Sequence, residues 1–271
     1  MRDPRYDILF EPVKIGPVTA RNRFYQVPHC NGMGRTYPSS LAEMRRTKAE
    51  GGWAVVCTEE IEIHPSAEHS PWAGGRLWDD RDVPYHARMC DGIHEFGSLA
   101  GAELNYGGLM TASRFSRDIP LAPSHHPVAS NDPVQARAMD KEDIKSLRKW
   151  HRDAALRAKR AGYDLVYVYV AHQLSTMSHF LSPYRNHRTD EYGGSLGNRA
   201  RLFREILQDT KDAVGDTCAV AVRFAVDELM GDYGFTSDGE GRDFIEMMAE
   251  EPDLWDVNIS AWENDSATSR F

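Results

Sequence analysis

The four cysteines, Cys30, Cys57, Cys90 and Cys218, lie far apart and form no Cys-x-x-Cys pair. Neither a disulfide framework nor a zinc site is therefore indicated, and each thiol is judged singly as a reduced side chain. Positive charge is also in short supply. A formal net charge of −9 leaves no footprint for nucleic acid or an anionic membrane. No apolar run approaches the ~20 residues that span a bilayer. Met1-Arg2-Asp3-Pro4-Arg5 is charged but lacks the apolar stretch of a signal peptide, so a cytoplasmic protein is expected. No Gly-x-Gly-x-x-Gly follows a strand-like run, which removes the usual dinucleotide fingerprint. What remains is small-molecule chemistry on 271 residues, enough chain for a large buried core.

Strand-like runs recur at Arg23–Val27, Ala54–Thr58, Leu99–Leu104, Leu165–Tyr169, Cys218–Phe224 and Leu254–Ile259, with helical patterns between them. Leu165-Val166-Tyr167-Val168-Tyr169 and Ala219-Val220-Ala221-Val222 are too continuously apolar for one wet face, as buried parallel strands are. Asp140 and Asp143 suit the start of a helix that places Ile144, Leu147, His151, Ala154, Ala158 and Ala161 on one face and stops at Gly162. A second helix is predicted from near Asn198 to Gly215. The alternation predicts an α/β TIM barrel, incomplete here, with about six strand–helix units where a closed barrel needs eight. The whole of 1–271 is read as the N-terminal part of one such domain.

Barrels of this kind keep their chemistry at the C-terminal ends of the strands. The first strand is followed by Pro28, His29 and Cys30, and the second by Thr58, Glu59 and Glu60. Glu103, Asn105 and Tyr106 follow the third, Tyr169 and His172 the fourth, Arg223 and Asp227 the fifth, and Asn258, Trp262 and Asp265 the sixth. Each has a plainer reading. Cys30 can be a small buried hydrophobe, and Glu59 and Glu60 solvated loop acids. Tyr169 and His172 can be a core tyrosine and a capping histidine, Arg223 can pair with Asp227, and Trp262 can close the barrel. Their gathering on one rim favours function.

The segment Ala171-His172-Gln173-Leu174-Ser175-Thr176-Met177-Ser178-His179-Phe180-Leu181-Ser182-Pro183, with Asn186-His187-Arg188-Thr189-Asp190-Glu191-Tyr192-Gly193-Gly194-Ser195-Leu196-Gly197-Asn198-Arg199, resembles the signature of the old yellow enzyme family of FMN barrels. Arg21-Asn22-Arg23-Phe24-Tyr25-Gln26-Val27-Pro28-His29-Cys30 narrows the resemblance to the dimethylamine and trimethylamine dehydrogenase group. The resemblance implies an FMN-dependent dehydrogenase that converts a small secondary amine to an imine, which hydrolyses to an amine and an aldehyde. It implies FMN bonded covalently to Cys30, with Pro28, His29, Glu103 and Arg223 around the ring and His29 lowering the thiol's pKa. Tyr169, His172 and Asp265 would be catalytic, and Glu60, Tyr169 and Trp262 would line the substrate pocket. No metal site is implied within this chain. A 4Fe-4S cluster, an electron-transferring flavoprotein as partner, a nucleotide-binding region and a homodimer belong to the complete enzyme. The alternatives are a related dehydrogenase for trimethylamine, histamine or an N-methyl amino acid, or a non-catalytic barrel fragment. Two departures stand out. Leu174 occupies the position of the proton-donating tyrosine of ene reductases, and Gly197 that of a usual glutamate.

Overall fold

The computed structural model describes residues 3–68, 74–110, 112–129 and 132–261. Its apolar runs form one parallel sheet in sequence order: β1 (Tyr25–Gln26), β2 (Val55–Glu62), β3 (Leu99–Asn105), β4 (Leu165–Val170), β5 (Ala219–Asp227) and β6 (Leu254–Ile259), with a short seventh strand, Gly75–Arg76, paired to the end of β2. The sheet curls into part of a barrel, the incomplete form expected. Helices α1 (Pro38–Glu50), α2 (Val83–His94), α3 (Lys141–Ala161), α6 (Arg201–Val214) and α7 (Glu240–Met248) alternate with the strands, and the short α4 (Thr176–Leu181) and α5 (Leu196–Arg199) lie in the connection after β4.

Period-two alternation sorts the strand residues between two cores. Val56, Ala100, Ala102, Val166, Val168, Val220, Val222 and Phe224 pack outward on the helices. Val55, Cys57, Leu165, Tyr167, Ala219 and Ala221 pack inward and meet Ile15 and Ala20. These last two belong to an antiparallel hairpin, Val13–Ile15 with Val18–Ala20, that plugs the bottom of the barrel. The phenol oxygens of Tyr25 and Tyr167 lie 2.5 Å apart there, each satisfying the other.

Both helix signals of α3 are realised. Asp140 and Asp143 form a reciprocal capping box, and Gly162 ends the helix at φ 94°, a left-handed position that suits glycine. The predicted second helix is broken instead. α5 is a single turn capped by Ser195, and Ala200 separates it from α6. A three-stranded patch, Leu121–Ala122, His126–Pro127 and Gln135–Ala138, escaped the sequence reading because none of its strands exceeds four residues.

β2 runs further than the apolar run suggested, through Glu59 and Glu60 to Glu62, with a register shift between Cys57 and Glu60. The shift re-aims the strand so that Glu60 lies opposite Glu103. Both acids are buried, as is Glu59, so the reading of Glu59 and Glu60 as solvated loop acids is overturned.

Candidate active site

Four neighbouring strands bring polar side chains to the inner wall above the apolar base. Tyr169, Arg223 and Asp256 lie side by side in register on β4, β5 and β6. Arg223 Nη1 donates to the Pro28 carbonyl at 2.5 Å and to Glu103 Oε2 at 3.3 Å, and its Nε lies 3.5 Å from Asp256 Oδ2. The arginine therefore joins the end of β1 to the opposite wall. It does not pair with Asp227, whose carboxylate instead accepts from the backbone of Leu229 and Ser237.

Glu103 is fully enclosed. Burial pushes its carboxyl up to about 7, against the pull of Arg223 and with the help of Glu60 and Asp256. Burial raises the Asp256 carboxyl as well, and Arg223 opposes that rise. Asp256 was missed in the sequence. The signal was the alternation of Leu254, Asp256 and Asn258 with Trp255, Val257 and Ile259, which sets polar groups on the inner face of an otherwise apolar strand.

Tyr169 and His172 come together. The phenol oxygen lies 2.7 Å from Nδ1 of the imidazole. His172 and Gln173 both have positive φ, 59° and 57°, so the chain turns sharply at the end of β4 and folds the ring back over the tyrosine. Burial, and then Arg223, push the His172 imidazole down to about 4, and burial holds the Tyr169 phenol well above its ordinary range. The pair is a protonated phenol donating to a neutral imidazole.

The β1 end differs from expectation in one respect. Pro28 is buried, while His29 and Cys30 are exposed as residues at the rim, although the imidazole and the sulfur are themselves partly desolvated. His29 turns toward α1: its Nδ1 lies 3.2 Å from Arg45 Nη1 and 3.2 Å from Gln26 Nε2. Burial, Arg45 and Lys48 keep the imidazole below its ordinary value. A ring held neutral brings no positive charge to the neighbouring thiol. The Cys30 thiol is pushed up to about 12 by burial and by Glu59, Glu60 and Glu103, the opposite of the lowering expected from its neighbour.

Much of the 171–199 segment is structural. Arg188 binds Asp190 and the carbonyls of Pro123 and Met139. Arg199 binds Glu240 and the carbonyls of Leu181 and Gly194. Gln173 is gripped by Glu228 and Arg185. Leu174 is buried among Met110, Tyr169, Ala171 and Ala225. Trp262 and Asp265 lie outside the described residues. Among the described residues no cluster of three or more potential ligands for a metal ion occurs, and no helix is long and apolar enough to cross a membrane.

Comparison with known proteins gives the family. The model of the NADH:flavin oxidoreductase / NADH oxidase family matches residues 8–268. The chain is 44% identical over its whole length to dimethylamine dehydrogenase of Hyphomicrobium sp. (strain x), of which it spans 38%. It superposes at a TM-score of 0.94 on 6-hydroxypseudooxynicotine amine oxidase from Pseudomonas geniculata N1, with 51% identity over 97% of this chain and 39% of that one. Histamine dehydrogenase from Rhizobium sp. 4-9 gives a TM-score of 0.92 and 52% identity, over 97% of this chain and 38% of that one. The chain thus spans less than half the length of these relatives.

Proposed function

The chain belongs to the NADH:flavin oxidoreductase / NADH oxidase family, and from that premise we propose that it is the flavin-binding part of an FMN-dependent amine dehydrogenase. The observation that carries this reading is the Tyr169–His172 pair, 2.7 Å apart, on the same inner wall as Glu60, Glu103 and Arg223. The wall also suits a polar ring. Both amide atoms of Asn258 are buried without hydrogen-bond partners, and Arg223 Nε meets Asp256 Oδ2 only at 3.5 Å, an arrangement that a polar guest would relieve. Arg223 and Glu103 would hold the flavin's pyrimidine edge, Pro28 and His29 would border the ring, and Cys30 would anchor it through a thioether. Bound there, FMN supplies a two-electron acceptor.

The chain's own groups do the rest. Arg223 keeps a fixed positive charge where negative charge develops, an effect strengthened in a dry site. Neutral His172 would receive a proton by way of Tyr169, with Asp265 expected from the resemblance to orient the imidazole. Glu60 would accept an N–H of a secondary ammonium, and Tyr169, with Trp262 as its expected companion, would meet the alkyl groups. A dimethylamine-like substrate leaves as an imine that hydrolyses to amine and aldehyde. A complete enzyme of this kind, read as a homodimer, would hold a 4Fe-4S cluster to hand the electrons to an electron-transferring flavoprotein.

A second reading keeps the chemistry and changes the substrate. The likeness extends equally to the proteins named for 6-hydroxypseudooxynicotine and histamine, at 51–52% identity, so a longer amine is the second reading. An ene reductase is disfavoured by the apolar, buried Leu174. Anaerobic bleaching of the flavin by a panel of dimethylamine, trimethylamine, histamine and an N-methyl amino acid decides among them. If none of the four bleaches it while cyclohexenone oxidises the NADPH-reduced protein, the amine reading is wrong. Glu60→Tyr is expected to shift preference toward trimethylamine by about tenfold.

A further inference from the structure

Thioether formation at Cys30, a part of the reading above on which this inference rests, requires an acceptor for the thiol proton. The adjacent imidazole is engaged elsewhere. Arg45 is fully buried, and its guanidinium, which can only donate, reaches His29 Nδ1 at 3.2 Å and the His29 carbonyl at 2.9 Å. Nδ1 is therefore occupied, and Lys48 Nζ lies 3.5 Å from Nε2, so both ring nitrogens face donor groups of the protein.

Cys30 instead faces Glu59. Its Sγ lies 3.9 Å from Oε2, with the thiol as donor. That carboxylate is held in place: the Asn31 N–H donates to Oε2 at 3.1 Å and the Gly34 N–H to Oε1 at 2.5 Å. Gly34 permits the approach, because a Cβ there would lie 2.1 Å from Oε1. The bulge in β2 next to Glu59, and the turn of the loop after β1, thus bring one carboxylate under one sulfur.

We propose that Glu59 is the base that takes the Cys30 thiol proton when the sulfur bonds to the flavin, a catalytic residue of the protein's maturation and not of amine oxidation. In that step the S–H bond breaks, its proton passes to Glu59 Oε2, and the sulfur's electron pair forms an S–C bond at C6 of the ring. The hydrogen on that carbon leaves as a proton and the ring retains two electrons. Dioxygen removes them and leaves as hydrogen peroxide, restoring the oxidised ring. The other charged groups that act on the thiol are Glu60 on β2, Glu103 on β3 and Arg45 on α1. With three carboxylates near it the thiol is not self-activating, so a proton acceptor in contact matters.

The test uses flavin-free full-length protein given FMN and dioxygen, followed by acid precipitation and measurement of bound flavin from about pH 6 to about pH 9. Iodoacetamide alkylation of Cys30 without FMN is measured in parallel. Glu59→Gln should slow covalent incorporation about a hundredfold at neutral pH, with recovery of about tenfold per pH unit, while alkylation becomes faster because a repelling carboxylate has gone. Glu59→Asp should retain part of the rate. Covalent incorporation by Glu59→Gln as fast as wild type overturns the proposal, since Glu59 then acts only through its charge. Equal slowing of Gln and Asp variants together with loss of non-covalent FMN binding overturns it too, as a structural effect. Acid-stable flavin persisting in Cys30→Ser refutes the anchor itself, a separate failure.

Discussion

His151 sits on α3, buried, with Nδ1 3.1 Å from the Thr210 hydroxyl and Nε2 without a partner. Thr210 donates to the Ile206 carbonyl at 2.7 Å, so the histidine donates from Nδ1 and is neutral. Burial pushes this imidazole down to about 4 from 6.5. A folded-state value below the unfolded one supplies stability that is complete above about 6.5 and is lost as pH falls toward about 4. The amount is up to about 3 kcal/mol. His151→Leu is expected to flatten the acid limb of a plot of Tm against pH, and an unchanged limb would contradict the assignment. Gly197 makes the converse case. It lies in the first turn of α5, and an added Cβ there meets nothing within 4 Å. Gly197→Glu restores helix propensity and puts a negative charge at a helix N-terminus, so a gain of about 1 kcal/mol is expected in thermal unfolding. The site chemistry should not change.

At the scale of elements, α1 does more than cover the sheet. Arg45 projects from it and ties down Gln26, at 3.1 Å, as well as His29. A helix placed by burial of Leu41, Ala42 and Ala49 thereby sets the course of the chain that delivers Cys30. Arg45→Met is expected to cost about 1–3 kcal/mol through the orphaned Gln26 and His29 acceptors. It should also raise the His29 pKa, because a cation repelling the imidazolium is removed; an NMR titration of His29 that does not move would refute the contact. None of this was legible in the sequence, where Arg45 is one basic residue in a polar helix. The strands themselves were legible, since parallel strands buried on both faces read as continuous apolar runs. Their ends were not. Glu59, Glu60 and Asp256 are strand residues that face a functional interior, and local polarity made the first two look like a loop and hid the third. Tyr169 and His172 were found because a turn three residues long is still local. The grip of Arg223 on Glu103 joins residues 120 positions apart, and spacing carries no trace of it.

At the scale of the molecule, the sheet does not close among the described residues, and β1 and β6 each leave one edge unpaired. β6 has the character of a hazardous edge. Val257 and Ile259 point outward and are 52% and 45% exposed, and the strand Leu254-Trp255-Asp256-Val257-Asn258-Ile259 contains neither lysine nor proline. Such an edge offers free backbone donors and acceptors beside apolar side chains, the template on which strands from another chain add. The 271-residue chain on its own is therefore expected to self-associate at micromolar concentration. Val257→Lys with Ile259→Lys should return it toward a monomer in sedimentation velocity, because both changes lie on the face opposite Asp256 and leave the inner wall intact. Wild-type chain that stays monomeric under these conditions would sink the argument. The same double variant reads differently in a longer protein whose further strands and helices cover this face. There the two ammonium groups would be driven into an apolar layer at a cost of several kcal/mol, so stability falls where, in the isolated chain, solubility rises. The sign of the effect distinguishes an edge that is open in the working protein from one that is covered.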